Sequence, residues 1–266
     1  MSKREVVVLS GVRTAIADFG GTLKDQPATE LAAKVVAEAV NRSGLSPEDI
    51  GHCVIGSVLH GDRRDMYISR VAALKAGLPV ETPSLTVNRL CGSGLQALVS
   101  AAQMILLDDC DVAVAGGSES MSRAPYWLPS ARFGANMGDG SMVDSLTGVL
   151  TCPIGDVHMG VTAENVADQF NISREEQDEL ANQSHQRAQR AIEENRFDGQ
   201  ILPIEIKTRK GVTIFEQDEH VRFDCDIESM AKLRPAFKKE GSVTAGNASG
   251  INDGAAALVL MEKAKA

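Results

Sequence analysis

The sequence predicts an α/β protein: a mainly parallel sheet of five buried strands with helices on both faces, interrupted by an inserted α+β lobe. Three observations carry this. Five apolar runs of strand length are spread over the two ends of the 266-residue chain. The first four alternate with segments of helical hydrophobic period. From Ser118 to about Gly250 the alternation stops, the chain turns more polar, and the core pattern returns at Gly254. Buried strands joined by crossover helices belong to α/β sheets.

The elements follow in order. "VVVLS" (Val6 to Ser10) is a continuous apolar run of buried-strand type. Leu31 to Ser43 places Leu31, Val35 and Ala39, with Ala32, Val36 and Val40, on helical spacing and ends at Gly44, a residue suited to a helix C-terminus. Ser46, Pro47, Glu48 and Asp49 read as a capped turn of helix. "CVIGSVL" (Cys53 to Leu59) is the second strand, "YISRVAALKAG" a helix stopping at Gly77, and "SLTVN" (Ser84 to Asn88) the third strand. A helix from Gly94 to Leu107 leads to "VAVAGG" (Val112 to Gly117), the fourth. Within the lobe, Ser173 and Glu176 form a capping box that opens a helix with acids early and arginines late, as the helix dipole favours. "ILPIEIK" and "VTIF", separated by "TRKG", read as a hairpin. "GAAALVLM" (Gly254 to Met261) is the fifth strand.

Composition excludes several function classes. With 43% hydrophobic and 24% charged residues the chain is ordinary for a globular protein, and a formal net charge of -9 argues against broad binding to nucleic acid or to an anionic membrane. A small-molecule partner is expected instead. "MSKREVVVLS" has an apolar run too short for a secretory signal or a membrane span, which predicts a cytoplasmic protein. The five cysteines (Cys53, Cys91, Cys110, Cys152, Cys225) are odd in number and never spaced as CxxC. Neither a disulfide framework nor a zinc site is expected, and no phosphate-binding glycine loop occurs.

Cys91 is the residue with most to say. In "VNRLCGSGLQAL" it lies where a strand gives way to a helix, with Gly92 and Gly94 leaving the thiol uncrowded. Leu95, Leu98, Val99, Ala102, Ile105 and Leu106 make a broad apolar face, so the helix is expected to be mostly buried. Its positive end would stabilise a thiolate, and its first-turn N–H groups could hold an oxyanion. The competing reading is inert packing, since cysteine is among the most buried residue types. A second stretch, "TAGNASGINDGAAALVLM", brings Gly246, Asn247, Ser249 and Gly250 together, either to approach an amide-bearing ligand or simply to turn the chain. Lys207, Arg209, Lys210, Arg222, Lys232, Arg234, Lys238 and Lys239 form a basic cluster that suits a polyanion or a solvated surface equally. Among five histidines, His158 in "VHMG" lies among small and apolar residues.

Taken together, "NRLCGSGLQAL", "AGGSESMSRAPY", "HMGVTAEN", "MAKLRPAF" and "TAGNASGINDGAAALVLM", in this order and over essentially the whole chain, resemble the thiolase family of acetyl-CoA acetyltransferases and 3-ketoacyl-CoA thiolases. The likeness is greatest to bacterial β-ketothiolases of short-chain and polyhydroxyalkanoate metabolism. The resemblance implies a thiolase-like fold, one of two halves, each a five-stranded mixed sheet with helices. The expected division is an N-terminal α/β domain over 1–117 and 251–266, a CoA-binding loop domain over 118–250, and no C-terminal half in this chain. It also implies that Cys91 is the nucleophile carrying an acyl group. Arg222 would lie near the adenine end of coenzyme A, Ser249 on the pantetheine arm, Ser229 among the CoA contacts, and His158, Met159 and Leu150 along the acyl pocket.

The implied partners are acetyl-CoA, CoA and 3-ketoacyl-CoA, with coenzyme A as substrate and no resident cofactor or metal. A homodimer or homotetramer is expected of the full-length protein, and the loop Ala124 to Ser141 reads equally as an oligomer contact or as a partly buried surface loop. Three motifs of the family's second half are absent from these 266 residues: the "NEAF" asparagine, the "GHP" histidine that activates the nucleophile, and the "CxGGG" cysteine that removes the α-proton. The chain alone is therefore expected to turn over poorly or not at all. Two other readings compete, a ketoacyl-synthase-type condensing enzyme and a non-catalytic CoA-binding or assembly module.

Overall fold

The computed structural model describes residues 4–209 and 211–266. In chain order its strands are β1 (Val6–Thr14), β2 (Ala17–Asp18), β3 (His52–Gly56), β4 (Ser84–Val87), β5 (Val112–Ser120), β6 (Tyr126–Trp127), β7 (Val143–Asp144), β8 (Thr151–Cys152), β9 (Val157–His158), β10 (Ile201–Leu202), β11 (Ile204–Thr208), β12 (Gly211–Phe215) and β13 (Asn252–Glu262). The α-helices are α1 (Ala28–Ser43), α2 (Ile68–Lys75), α3 (Ser93–Leu106), α4 (Ser145–Val149), α5 (Met159–Phe170), α6 (Arg174–Glu193) and α7 (Ile227–Ala231). Two compact units result, one comprising 1–124, 199–219 and 252–266, the other 125–198 and 220–251.

The first unit is built on a sheet in the order β10-β1-β13-β5-β3-β4, with β2 paired to β13. Strands β3, β4 and β5 run parallel, whereas β13 is antiparallel to both β1 and β5. The sheet is therefore mixed, where hydrophobic pattern alone suggested mainly parallel. The reason is that β13 arrives from a distant part of the chain and inserts between β1 and β5 with no crossover helix to set its direction. α1 and α2 cover one face, burying Leu31, Val35, Val36, Ile68 and Ala72 against Val12, Ile55, Val114 and Ala257. α1 stops where expected: Gly44 has φ 76° and its N–H reaches the Asn41 carbonyl.

α3 covers the opposite face and differs from expectation. Only Ser93, Ala97, Ala101 and Ile105 are buried, against Val54, Ala113, Ala115 and Leu260. Leu95, Val99 and Leu106 are exposed. Periodicity identifies side chains fit for burial, but a helix lying on a sheet covers only the side that faces it.

The second difference concerns residues 199–219, which were expected in the inserted lobe and belong to the first unit. β10 pairs with β1, and Ile204 and Phe215 of the β11–β12 hairpin are buried in the main core. Arg13 and Asp218 close the attachment with a bidentate pair at 2.7 and 2.9 Å. The second unit is made of α4 to α7 and two short ribbons, β6–β7 and β8–β9. Its capping box at Ser173 and Glu176 is present. No helix among the described residues is long and apolar enough to cross a membrane.

Candidate active site

β4 ends at Val87 and α3 begins at Ser93, so five residues must reverse the chain and present Cys91. Leu90 makes the turn with φ 48°, a left-handed conformation that a leucine holds at a cost of about 1–3 kcal/mol. A local network supports it. Asn88 Oδ1 accepts the Leu90 N–H (3.0 Å), Ser93 Oγ accepts the Arg89 N–H (2.9 Å), and the Ser93 hydroxyl donates to the Leu90 carbonyl (2.6 Å). Cys91 is exposed as a result. The other cysteines stand differently. Burial pushes the Cys53 thiol up to about 12, and Cys110 and Cys225 are also raised by burial, whereas the Gly155 and Ile154 N–H groups pull Cys152 down.

The sheet approaches this turn backbone to backbone. A Cβ on Gly56, at the end of β3, would lie 2.5 Å from the Ser93 carbonyl carbon and oxygen, and one on Gly117 would lie 3.3 Å from Gly94 Cα. The start of α3 is thus seated on two glycines of neighbouring strands. Two N–H groups at this helix start are already engaged. The Gly92 and Ser93 N–H groups are committed to the Arg89 and Leu90 carbonyls, at 3.1 and 2.9 Å. Glu119, missed by sequence reasoning although it lies in "GGSESM", accepts the Val58 and Leu59 N–H groups at 2.9 and 3.0 Å and holds the loop after β3. Its burial pushes that carboxyl above the usual range.

The remaining six predicted site residues belong to the second unit. Leu150, His158 and Met159 come together, since the Met159 N–H donates to the Leu150 carbonyl at 2.8 Å across the β8–β9 ribbon. His158 Nδ1 accepts the Gly160 N–H (3.0 Å) and caps α5, and its ring stacks on Phe237 with centroids 4.8 Å apart. Phe237 ends the stretch "MAKLRPAF", where nothing local in the sequence marks it for this role. Gly160 makes the stack possible, because a Cβ there would lie 2.3 Å from the Phe237 ring.

Arg222 is exposed on the segment leading into α7 and Ser229 is exposed in the first turn of α7, where the N-capping Asp226 Oδ1 accepts the Ser229 N–H at 2.8 Å. Ser249 is exposed on the asparagine–glycine loop. That loop is anchored rather than loose. Asn247 Nδ2 donates to Asp178 Oδ1 on α6 (2.9 Å) and Asn247 Oδ1 accepts the Thr244 N–H (2.7 Å). Of the basic cluster, Lys238 is engaged by Asn165 and Asp168 on α5, Lys207 and Arg209 lie in the first unit, and Lys210 lies outside the described residues. No group of three or more His, Cys, Asp or Glu among the described residues is arranged to hold a metal.

Glu164 holds the base of the same loop. Its buried carboxylate accepts the Ser242 N–H (2.9 Å), the Val243 N–H (3.0 Å) and the Ser242 hydroxyl (3.1 Å). Burial pushes its carboxyl up, but these bonds outweigh burial and leave it below the usual carboxylate range. A depressed folded value stabilises the fold above the unfolded carboxylate range, and that stabilisation is lost as pH falls through the folded value. Glu164→Ala is expected to lower stability by about 1–3 kcal/mol at neutral pH, measured by urea denaturation, with the difference from the native chain shrinking in acid.

The model of the thiolase N-terminal domain matches residues 6–264. Beta-ketothiolase BktB of Cupriavidus necator is 60% identical over 264 residues, covering 99% of this chain and 67% of the relative. The crystal structure of the Bacillus anthracis acetyl-CoA acetyltransferase superimposes with a TM-score of 0.95 at 46% identity, covering 99% of this chain and 66% of the other. Human mitochondrial 3-ketoacyl-CoA thiolase in complex with CoA gives 0.94 at 41%, covering 98% and 66%. The chain spans about two thirds of the length of these relatives. With a strained turn presenting a cysteine at a helix start, a mixed sheet beneath it, and close relatives bearing these names, the chain belongs to the thiolase family.

Proposed function

We propose that this chain supplies the acyl-accepting cysteine and the coenzyme A contacts of a short-chain thiolase. The observation that carries the reading is the Leu90 turn, which exposes Cys91 at the start of α3. The Cys91 thiolate attacks the carbonyl carbon of an acyl-CoA, and collapse of the tetrahedral adduct breaks the bond to the coenzyme A sulfur. CoA leaves as its thiolate and takes up a proton, and the acyl group stays on Cys91. In synthesis a second acetyl-CoA, deprotonated at its α-carbon, condenses onto this acetyl group to give acetoacetyl-CoA. In thiolysis Cys91 attacks the keto carbon of a short-chain 3-ketoacyl-CoA, acetyl-CoA leaves after protonation, and CoA takes the shortened acyl group.

Arg222 serves the nucleotide end of the substrate, Ser249 the pantetheine arm, Ser229 a further coenzyme A contact, and Leu150, His158 and Met159 the acyl end. The stack of His158 on Phe237 supports the last assignment, since it gives an apolar wall with a fixed imidazole. Proton removal from Cys91 and from the α-carbon has no histidine or second cysteine in the expected motifs here. These 266 residues do not supply that general acid–base catalysis, worth about 10²–10⁴-fold, so in this reading the chain by itself turns over poorly or not at all. The exposed side chains Tyr126, Trp127 and Phe133 support an oligomer contact, and the reading is that of a cytoplasmic homodimer or homotetramer.

The test is intact mass with peptide mapping after exposure to acetyl-CoA. One acetyl group on Cys91 is the expected result. An unmodified Cys91 in a chain that still binds CoA saturably would favour a binding or assembly module, and a chain that does neither would sink both readings.

A further inference from the structure

Arg89 stands immediately before the strained Leu90 and reaches across it toward α3 three times. Its N–H donates to Ser93 Oγ (2.9 Å) and its carbonyl accepts the Gly92 N–H (3.1 Å). Its exposed guanidinium donates from Nη1 to Oε1 of Gln96 on α3. The Gln96 amide is engaged at its other end as well, since Nε2 donates to Ser100 Oγ at 3.1 Å. Arg89, Gln96 and Ser100 thus form a strap that runs from the turn along one side of the helix, Gln96 and Ser100 standing at the i,i+4 spacing that brings side chains together.

The backbone ties and the Asn88 and Ser93 bonds close rings of a few residues inside the turn itself. The bond from Arg89 to Gln96 fastens the turn to something that does not move with it. Gln96 precedes Ala97, which with Ala101 is buried against the sheet, so this part of α3 cannot follow a shift of the turn. Leaving the left-handed region at Leu90 rotates the chain on its N-terminal side relative to α3 and carries the guanidinium away from Gln96. The strap therefore favours the presented conformation over the relaxed one, and it offsets part of the strain of a leucine at φ 48°.

We infer that Arg89 is a positioning residue for acyl transfer: its bond to Gln96 holds the Leu90 turn in the conformation that presents Cys91. The inference rests on the reading of Cys91 as the acyl acceptor. In this assignment Arg89 touches no reacting atom and acts through the backbone of the turn.

The test compares two rates at Cys91 on the whole folded chain. Acetylation by acetyl-CoA needs the thiol aimed at a carbonyl, whereas alkylation by iodoacetamide needs only an accessible thiolate. Arg89→Ala and Gln96→Ala are each expected to slow acetylation about fivefold and to leave alkylation within about twofold of native. The double variant is no slower than either single one, because the two side chains serve one bond. Arg89→Lys keeps a donor of the same charge and recovers most of the rate. Gln103→Ala, on the same side of the helix but outside the strap, reacts as the native chain does. In parallel, the coupling between the Leu90 amide and α protons, which reports φ, departs from its native value in both alanine chains. A slow Arg89→Ala chain beside a Gln96→Ala chain of native rate would show that the charge alone matters and would overturn the strap. So would losses that multiply in the double variant, acetylation and alkylation that fall together, or a Leu90 coupling that ignores both substitutions; each leaves Cys91 standing as the acceptor. A folded native chain that is alkylated but never acetylated at Cys91 would overturn the acceptor reading and this inference with it.

Discussion

Cys91→Ser is expected to abolish acetyl uptake from acetyl-CoA, with a loss on the order of 10³-fold or more. A serine hydroxyl keeps the shape of the thiol but is not ionised near neutral pH, and no histidine of the expected motif is present to take its proton. The exposed position makes the substitution clean. Because Cys91 is exposed, folding stability should change by no more than about 0.5 kcal/mol. Intact mass would show the native chain acetylated at this residue and the serine chain unmodified over the same time. Acetylation that persists in the serine chain, mapped to Cys152 or elsewhere, would mean that a different thiol accepts the group. Cys152 is the informative control, since its thiol is the one pulled down by backbone N–H groups.

Gly56→Ala is expected to damage the same reaction from a distance. The added methyl group would meet the Ser93 carbonyl at 2.5 Å and the Gly94 nitrogen at 2.8 Å, and neither is a flexible side chain that can swing aside. Either β3 or the first turn of α3 must move. Overpacking of this kind costs about 1–3 kcal/mol. The turn that carries Cys91 is continuous with the displaced backbone, and a shift of roughly 1 Å at a reacting group costs about 10²-fold in rate. The expected signature is a folded chain with a lowered urea midpoint, unchanged affinity for CoA and slow acetylation. A full-rate Gly56→Ala chain would show that the seat of α3 on the sheet is not what positions the thiol.

Much of the candidate site was legible because its signals are local. A cysteine between an apolar run and a glycine-marked helix start can be read within a dozen residues, and so can the capping box of α6 and the glycine that ends α1. The strained turn was not legible. Nothing about leucine announces φ 48°, which is imposed by Asn88 and Ser93 on either side of Leu90. Phe237 and Glu164 were missed for a related reason: each acquires its role from a partner 79 or 78 residues away, and hydrophobic pattern reports only near neighbours.

By itself the sequence determined the strands and helices of the core, the place of Cys91 at the end of one and the start of another, and, through five motifs in order, the family. These follow from short-range sterics, capping and periodicity, which act over a few residues. Tertiary structure decided the direction of β13, the attachment of the 199–219 hairpin to β1, the exposed side of α3 and the tie between His185 and Arg222. Each depends on which distant segment arrives against which surface. A hydrophobic residue specifies that it can be buried, and only the packed chain specifies by what.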